Sequence, residues 1–590
     1  MATLLSLLPI LIPLLGALFL LPTRGYRRAR PLISLAVLLL TLIVLGINTR
    51  LPDTSNFLFG QLSLVPDVDL RFDYNSVTLL FSALALVAAV AWLLIENLTT
   101  KTRWGAASLV SLAGAIALIC ADNWSTLIAG WVLADLGLLA WRLEASDAPS
   151  GVLAWRAFGI SLFGALGVSA GAFFQLAAGA SLRIPDATLD GWAATLILFA
   201  AWVRSGLFPF QVPMAQRLAQ LPGLDSVQTS SQPGRGHGLH PSALIGPGMG
   251  KRFGDDLYGI ALGVLMGLYL LTRSQLVLLG PAPSGLVPSG NIALSELLVI
   301  LALFGLGATA LLALLQPNRD AQLAWACWAA GAAVWVIPFM PVLNVHSALA
   351  VWLALGLWHM VVALLGARLL CAQTLRQPWR QVLWGLAILC AVGFPLTPGF
   401  FGRIGLYAVV LNGGGLPYLV LLPITLTFAL VPLWRAFFDV RGEQERTPTV
   451  VEYIGLALLI LPPLIEGIVP FAIMSLFGPG VEDASAFAYD ALLHAPNFWQ
   501  PIILVLAVIF PLPLAFILAR YFSRWEGRLV APARPALAVL DLSLITRLGV
   551  RIMDTLMTGV RELSALIEQH PVGWFLFAAL WVALWLLNLH

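Results

Sequence analysis

Two arginines lie inside apolar segments of this chain that are interrupted by proline. Arg204 lies in the segment Thr195–Phe210, and Arg403 lies in the segment Gly393–Tyr407. An ionisable residue at membrane depth marks a functional site by default, and broken helices in both halves of a chain are typical of transporters with a path near the bilayer midplane. Arginine stays charged in proteins, whereas buried lysine can be made to titrate. The two arginines therefore predict fixed positive charges along an ion path.

The composition is that of an integral membrane protein. The chain has 590 residues, of which 60% are hydrophobic and 10% charged, with a mean hydropathy of +0.92. A soluble domain has about 25% charged residues. The net charge of +3 carries little information about partners, and no nucleic-acid partner is expected. The cysteines lie in apolar segments and predict small buried side chains, without a disulfide or a metal site; they are Cys120, Cys327, Cys371 and Cys390.

Apolar segments of about 20 residues recur along the chain, and each is long enough to cross a bilayer. Sixteen transmembrane spans are predicted, at residues 2–22, 32–48, 76–96, 104–121, 123–141, 154–178, 192–210, 257–273, 294–316, 321–340, 345–371, 381–411, 416–437, 451–476, 499–522 and 572–588. The first segment lacks a basic start and a small-residue cleavage site, so we expect it to remain as a helix.

The loops between the predicted spans alternate in charge. One set is rich in arginine and lysine, for example at Arg24–Arg30, Arg376–Arg380 and Arg524–Arg534, whereas the other set is mostly acidic, for example at Asp67–Asp73 and Glu482–Asp490. The positively charged side is predicted to be cytoplasmic. Both termini then lie on the outer face, which agrees with an even number of spans.

Three segments are not predicted to cross the membrane. Residues 50–75 alternate in polarity and suggest a small external hairpin. Residues 217–256 form a Gly/Pro/Ser-rich cytoplasmic loop that is long for a helical core and is predicted to be partly disordered. Residues 536–569 have apolar residues at helical spacing and predict an amphipathic helix about 50 Å long, at about 1.5 Å per residue. It follows a cytoplasmic arginine cluster, so we expect it to lie laterally on the cytoplasmic face.

Short motifs surround the polar residues of the apolar segments. The fifth span contains Gly130-Trp131-Val132-Leu133, followed by Asp135, and the seventh contains Arg204-Ser205-Gly206-Leu207-Phe208-Pro209. The eighth ends in Gly267-Leu268-Tyr269-Leu270-Leu271-Thr272-Arg273, the eleventh contains Leu357-Trp358-His359, and the twelfth contains Gly399-Phe400-Phe401-Gly402-Arg403.

These motifs, the two broken helices and the lateral helix before the last span resemble the antiporter-like subunits of respiratory complex I. The family also includes subunits of Mrp cation/proton antiporters, membrane-bound hydrogenases and inorganic-carbon uptake complexes. The lateral helix and final span look like the largest, most distal subunit of complex I. The resemblance implies N-terminal helices over residues 1–103, inverted five-helix repeats over 104–273 and 294–437 with broken helices 7 and 12, two helices over 451–522, the lateral helix and an anchor over 572–588.

Several positions depart from the family pattern. Valine stands where the family has the glutamate of its Trp-Glu pair, but Asp135 lies one helical turn away and could replace it. The resemblance places Arg204 at the lysine of the broken seventh helix and His359 at the lysine of the eleventh. In the twelfth helix Arg403 stands at a Lys/Glu position, and Leu265 occupies the central lysine position of the eighth.

These departures bear on proton transfer. A proton relay needs groups whose pKa can cross the working range, as those of lysine, glutamate and histidine can. Arginine cannot lose its proton in a protein. Arg204 and Arg403 can therefore hold a carboxylate or repel cations, and His359 is the one plainly titratable group of the central file. Asp135 is predicted to pair with Arg204, which would keep both charged.

Each candidate path residue also has a structural interpretation. Arg204 and Arg403 could satisfy carbonyl groups freed by the nearby prolines. Asp135 must find some partner in a membrane, and His359 could be a hydrogen-bonded core histidine. Glu466 follows two prolines near the predicted outer end of its span, where a structural role is the alternative to an exit-side role.

Three functions follow from the resemblance. The first is a distal antiporter-like subunit of a complex I-type proton-translocating NADH- or ferredoxin:quinone oxidoreductase in a bacterial inner membrane. The second is an Mrp-type antiporter or inorganic-carbon uptake subunit, and the third is a non-pumping clamp between other subunits. The chain has no nucleotide, flavin or iron–sulfur motif, so we expect flavin, iron–sulfur and quinone in partner subunits. The expected partners are other antiporter-like and redox subunits and the lipid bilayer.

Overall fold

The part of the chain that the structure describes is almost entirely helical. The computed structural model describes residues 2–21, 29–48, 70–97, 105–144, 148–177, 191–206, 257–278, 292–315, 354–363, 378–412, 416–438, 450–469 and 497–522, together with short pieces at 179, 183–184, 210, 325–326, 329, 331–333, 492–493, 555 and 558. Within these ranges β-pairing is confined to isolated bridges, and no strand forms. The predicted all-α polytopic membrane fold is confirmed.

The helices lie where spans were predicted. In the described ranges they are α1 (Ala2–Leu20), α2 (Ala29–Asn48), α3 (Ser76–Asn97), α4 (Ala106–Ile119), α5 (Trp124–Glu144), α6 (Ala148–Ala177), α7 (Gly191–Arg204), α8 (Leu257–Leu278), α9 (Ile292–Leu315), α10 (Ala354–Ala363), α11 (Pro378–Val392), α12 (Pro398–Asn412), α13 (Leu416–Phe438), α14 (Val450–Ile468) and α15 (Trp499–Ile509). Seven helices of the described part are long and apolar enough to cross a bilayer.

Several predicted features fall wholly or mostly outside the described residues. They are the hairpin over 50–75, the loop over 217–256, the span over 321–340, the lateral helix over 536–569 and the final anchor over 572–588. The count of sixteen spans, the inverted repeats and the division into the predicted segments therefore stay predictions.

The chain divides into two units, Met1–Arg534 and Pro535–His590. In the first unit α4, α5, α6, α7 and α8 pack in succession, and α8 returns to contact α3 and α4. The later helices α11, α12 and α13 pack on one another, with α14 beside α3 and α15 beside α12. In the second unit the described residues are Thr555 and Thr558, both helical.

Backbone pairing ties together one end of α3, α4 and α5. The amide of Asp73 donates to the carbonyl of Cys120 at 2.8 Å, and the amide of Asp122 donates to the carbonyl of Arg71 at 2.9 Å. Two ion pairs lie at the same end, Arg183 with Asp122 at 3.1 Å and Arg273 with Asp73 at 3.8 Å. These contacts fix the positions of α5 and α8, which both contribute to the polar site described below.

Helices α4 and α5 approach each other closely through glycine. A Cβ atom at Gly114 would overlap the backbone of Ala134, and a Cβ atom at Gly137 would overlap the backbone of Ser111. Small residues let membrane helices pack with their backbones in contact, which replaces the hydrophobic driving force that lipid does not provide. The α4–α5 pair therefore holds Asp135, which lies between Ala134 and Gly137, in a fixed orientation.

We expect Gly137→Ala to lower the free energy of unfolding by about 1–3 kcal/mol, because the new methyl group must push α4 and α5 apart. The matched control is Gly307→Ala on α9, where a Cβ atom meets nothing within 4 Å. That change is expected to be neutral or stabilising by about 0.4–1 kcal/mol. Thermal unfolding of the purified chain in detergent measures both, and equal effects of the two variants would contradict the proposed contact.

Candidate functional site

A buried ion pair joins the middle of α5 to the end of α7. The guanidinium of Arg204 donates to the carboxylate of Asp135, and the side chains of these two residues are only 3% and 5% exposed. The pairing predicted from the sequence is therefore present. Whether the pair forms part of an ion path stays a prediction.

Three further side chains surround the Arg204 guanidinium. It donates to the hydroxyl of Ser161 on α6, and its Cζ lies 5.0 Å from the ring centroid of Trp131. The Trp131 indole also donates to Ser161, at 3.1 Å. A second guanidinium nitrogen lies 3.2 Å from the thioether sulfur of Met266 on α8. The cation is therefore held on several sides by α5, α6 and α8, in addition to its counter-ion.

The position of Arg204 follows from the way α7 ends. Gly206 adopts a left-handed conformation with φ of +64°, which favours glycine, and its amide donates back to the carbonyl of Val203 at 3.0 Å. The helix therefore stops within two residues of Arg204. Helix α8 approaches this end of α7 closely at Gly267, where a Cβ atom would overlap Ser205. This contact fixes the end of α7 against α8.

The second interrupted helix breaks between α11 and α12. The amide of Phe394 donates to the carbonyl of Leu389 at 3.0 Å and that of Gly393 to Cys390 at 3.3 Å, which is the Schellman arrangement that ends a helix. Gly393 has φ of +69° and Leu396 has φ of +72°. The amide of Thr397 then donates to Phe394 at 3.1 Å, just before α12 starts. The break predicted around Arg403 is therefore present.

Arg403 projects from α12 back to this break. Its guanidinium donates to the carbonyl of Val392, the last residue of α11, and lies over Gly393. A second nitrogen lies 3.9 Å from the thioether of Met360 on α10. A cation at the carbonyl end of a helix is favoured by the helix dipole. Within the described residues no carboxylate forms an ion pair with Arg403.

His359 lies next to Met360 on the short helix α10. It is buried, and its Nδ1 has no hydrogen-bond partner among the described residues. Helix α10 meets the break through Gly356, where a Cβ atom would lie 3.0 Å from the carbonyl of Pro398. The two predicted path residues His359 and Arg403 therefore lie on elements that contact each other.

Glu466 is fully buried on α14, one residue before Gly467. A Cβ atom at Gly467 would overlap the carbonyl of Leu396, so α14 packs directly on the break of the second interrupted helix. Glu466 is therefore near the same break as Arg403. Its exit-side role stays a prediction.

The two halves differ in what they can do chemically. The first holds a permanently charged arginine with its counter-ion, which orients groups but does not donate protons. The second holds a fixed cation, a buried imidazole and a nearby carboxyl group. Histidine and glutamate can change protonation state. Whether the second half moves a proton stays a prediction.

Three of the site contacts were not predicted from the sequence. Ser161 is one of several hydroxyls in apolar segments, and nothing in its spacing points to Arg204. Met266 and Met360 have the pattern of ordinary apolar residues, although each directly follows a position where the resemblance places a family lysine.

Searches with family models found no match, and no curated protein matches the sequence. Solved structures do match. A chain of the Mrp complex from Dietzia sp. DQ12-45-1b superposes with a TM-score of 0.68 at 15% identity, over 97% of this chain and 62% of that chain. The present chain thus spans less than two thirds of that relative's length.

Two further structures share the fold. A chain of the archaeal membrane-bound sulfane sulfur reductase gives a TM-score of 0.61 at 15% identity, over 82% of this chain and 100% of that chain. A chain of respiratory complex I from Thermus thermophilus gives a TM-score of 0.60 at 17% identity, over 83% of this chain and 99% of that chain. The chain has the fold of the antiporter-like membrane subunits of such complexes, as the sequence resemblance implied.

The ion pair predicts a specific pattern in a double-mutant cycle. Asp135→Asn leaves Arg204 buried without a counter-ion, so we expect it to destabilise the chain by about 3–5 kcal/mol. The double variant Asp135→Asn with Arg204→Gln removes both charges and is expected to regain most of that loss. Thermal unfolding in lipid nanodiscs measures the cycle. Additive effects of the two single variants would show that the charges are not coupled.

Proposed function

We propose that this chain is a distal antiporter-like membrane subunit of a complex I-type assembly in a bacterial cytoplasmic membrane. The observation that carries the proposal is the buried pair of Asp135 and Arg204 across the fifth and seventh helices. The family resemblance puts a glutamate–lysine pair across the same two helices. The fold shared with chains of complex I and the sulfane sulfur reductase supports the same assignment.

The subunit contributes to ion translocation mainly through its second half. The buried pair in the first half serves as a fixed electrostatic element. His359 is the group that exchanges protons, Arg403 sets the potential beside it, and Glu466 serves as the exit-side carboxyl group. The number of protons that this subunit pumps is therefore lower than in a family member that keeps titratable lysines in both halves.

Redox chemistry belongs to the partners in this proposal. Flavin, iron–sulfur centres and quinone are bound by other subunits, and this chain binds none of them. The lateral helix over 536–569 lies on the cytoplasmic face and clamps neighbouring antiporter-like subunits together, and both termini lie on the outer face.

Co-purification tests the assembly. The full chain with an affinity tag, expressed in its own host and extracted in mild detergent, is expected to bring down subunits that carry flavin and iron–sulfur centres, visible in the absorption and electron paramagnetic resonance spectra of the eluate. An intact complex that contains antiporter-like subunits but no redox centre would contradict the complex I-type assignment.

An Mrp-type cation/proton antiporter subunit is the second candidate. It is favoured by the match to the Mrp chain, which extends over 97% of this chain, whereas the other two matches cover 82% and 83%. In that case the same purification yields a complex without redox centres, and sodium added to proteoliposomes drives proton movement.

Proton uptake by proteoliposomes that contain the assembly tests the role of His359. We expect His359→Gln to lower proton uptake at least about tenfold, because the variant removes a proton-transferring group. Gly307→Ala on α9 is the control and is expected to keep wild-type uptake, since it changes no polar group and the added methyl group meets nothing within 4 Å. Unchanged uptake with His359→Gln would instead identify a non-pumping structural subunit.

A further inference from the structure

Arg403 forms no ion pair with a carboxylate of the described residues. Residues 321–438 contain no aspartate and no glutamate, although they contain arginine at five positions. Within the described residues the polar contacts of the Arg403 guanidinium are the carbonyl of Val392 and the thioether of Met360. Arg204 in the first half, by contrast, has Asp135.

A second unsatisfied polar group lies beside this cation. Tyr407 is 0% exposed, and its hydroxyl has no hydrogen-bond partner among the described residues. It follows Arg403 by four positions on α12 and therefore lies on the same helical face. A buried hydroxyl without a partner costs about 1–3 kcal/mol, so a ligand that accepts its hydrogen bond is favoured.

The helix break brings the amide end of α12 next to the carbonyl end of α11. Helix α12 starts at Pro398, and Arg403 lies in its second turn. Helix N-termini carry a partial positive charge and exposed amides that favour anions. In transporters with broken helices, such half-helix ends point at anionic groups. The Arg403 guanidinium and the Tyr407 hydroxyl thus both favour negative charge on one face of α12.

We propose that Arg403 and Tyr407 bind a small inorganic monovalent anion, of the size and charge of a halide, at the break between α11 and α12. One net positive charge is balanced by one negative charge, which removes the cost of an unpaired cation in the membrane. Arg403 is only partly buried, so a small ion can reach the guanidinium. The guanidinium lies against Gly393, so the space on that side is closed.

The site can be measured on the full chain alone, without redox partners and independently of proton transfer. The chain is purified into nanodiscs of neutral lipid, and sodium gluconate is replaced by sodium chloride at constant ionic strength. We expect saturable stabilisation in thermal unfolding, since a ligand that binds the folded state raises its stability. Chloride-35 NMR line broadening reports the same binding directly.

Three variants make the assignment specific. Arg403→Gln is expected to abolish the chloride dependence, and Tyr407→Phe to weaken chloride affinity about tenfold, as expected for a lost hydrogen bond to a charged group. Tyr269→Phe is the matched control and is expected to leave affinity unchanged. It removes another fully buried hydroxyl without a described partner, but beside Arg273, which already pairs with Asp73.

Two results would overturn the proposal. One is a wild-type unfolding temperature that does not change with chloride. In that case a carboxylate of a partner subunit would be the counter-charge of Arg403. The other is a chloride-dependent stabilisation that persists in Arg403→Gln. Equal changes of the chloride affinity in Tyr407→Phe and Tyr269→Phe would count against the proposal in the same way. Should Arg403→Gln not fold, the comparison of the two tyrosine variants still decides, because each removes a single hydroxyl group.

Discussion

The buried pair of Arg204 and Asp135 is the constraint on which the first half of the structure depends. A charged arginine inside a membrane costs several kcal/mol unless it finds a partner. Here the partner is a carboxylate on α5, and Ser161 and Trp131 complete the surroundings. The close packing of α4 on α5 and the end of α7 at Gly206 both hold these groups in place. Removing either charge would leave the other buried and unpaired.

The two interrupted helices solve the same electrostatic problem differently. In the first half the cation meets a carboxylate, whereas in the second half it meets the carbonyl end of α11 and a neutral thioether. A methionine faces the arginine in both halves, Met266 on α8 and Met360 on α10. Among the described residues, the two arginines therefore share a thioether contact but differ in whether a carboxylate pairs with them.

Much of this architecture could be predicted from the sequence, because apolar segment length and proline or glycine breaks act locally. The positions of the helices and the pairing of Asp135 with Arg204 were predicted in this way. The role of Ser161 could not be predicted, since a hydroxyl in an apolar helix carries no periodic signal about what it faces. Likewise, the contacts of Arg403 with Val392 and Met360 depend on which helices meet at the break, and this is decided by tertiary packing.

The central claim is that Asp135 and Arg204 bind each other directly across α5 and α7. The most direct test is infrared difference spectroscopy of the chain in nanodiscs, with Asp135→Asn used to identify the band of the Asp135 side chain. The account predicts that this band shifts in Arg204→Gln, because the variant removes the group that donates to Asp135. A band of Asp135 that has the same position in the wild type and in Arg204→Gln would contradict it.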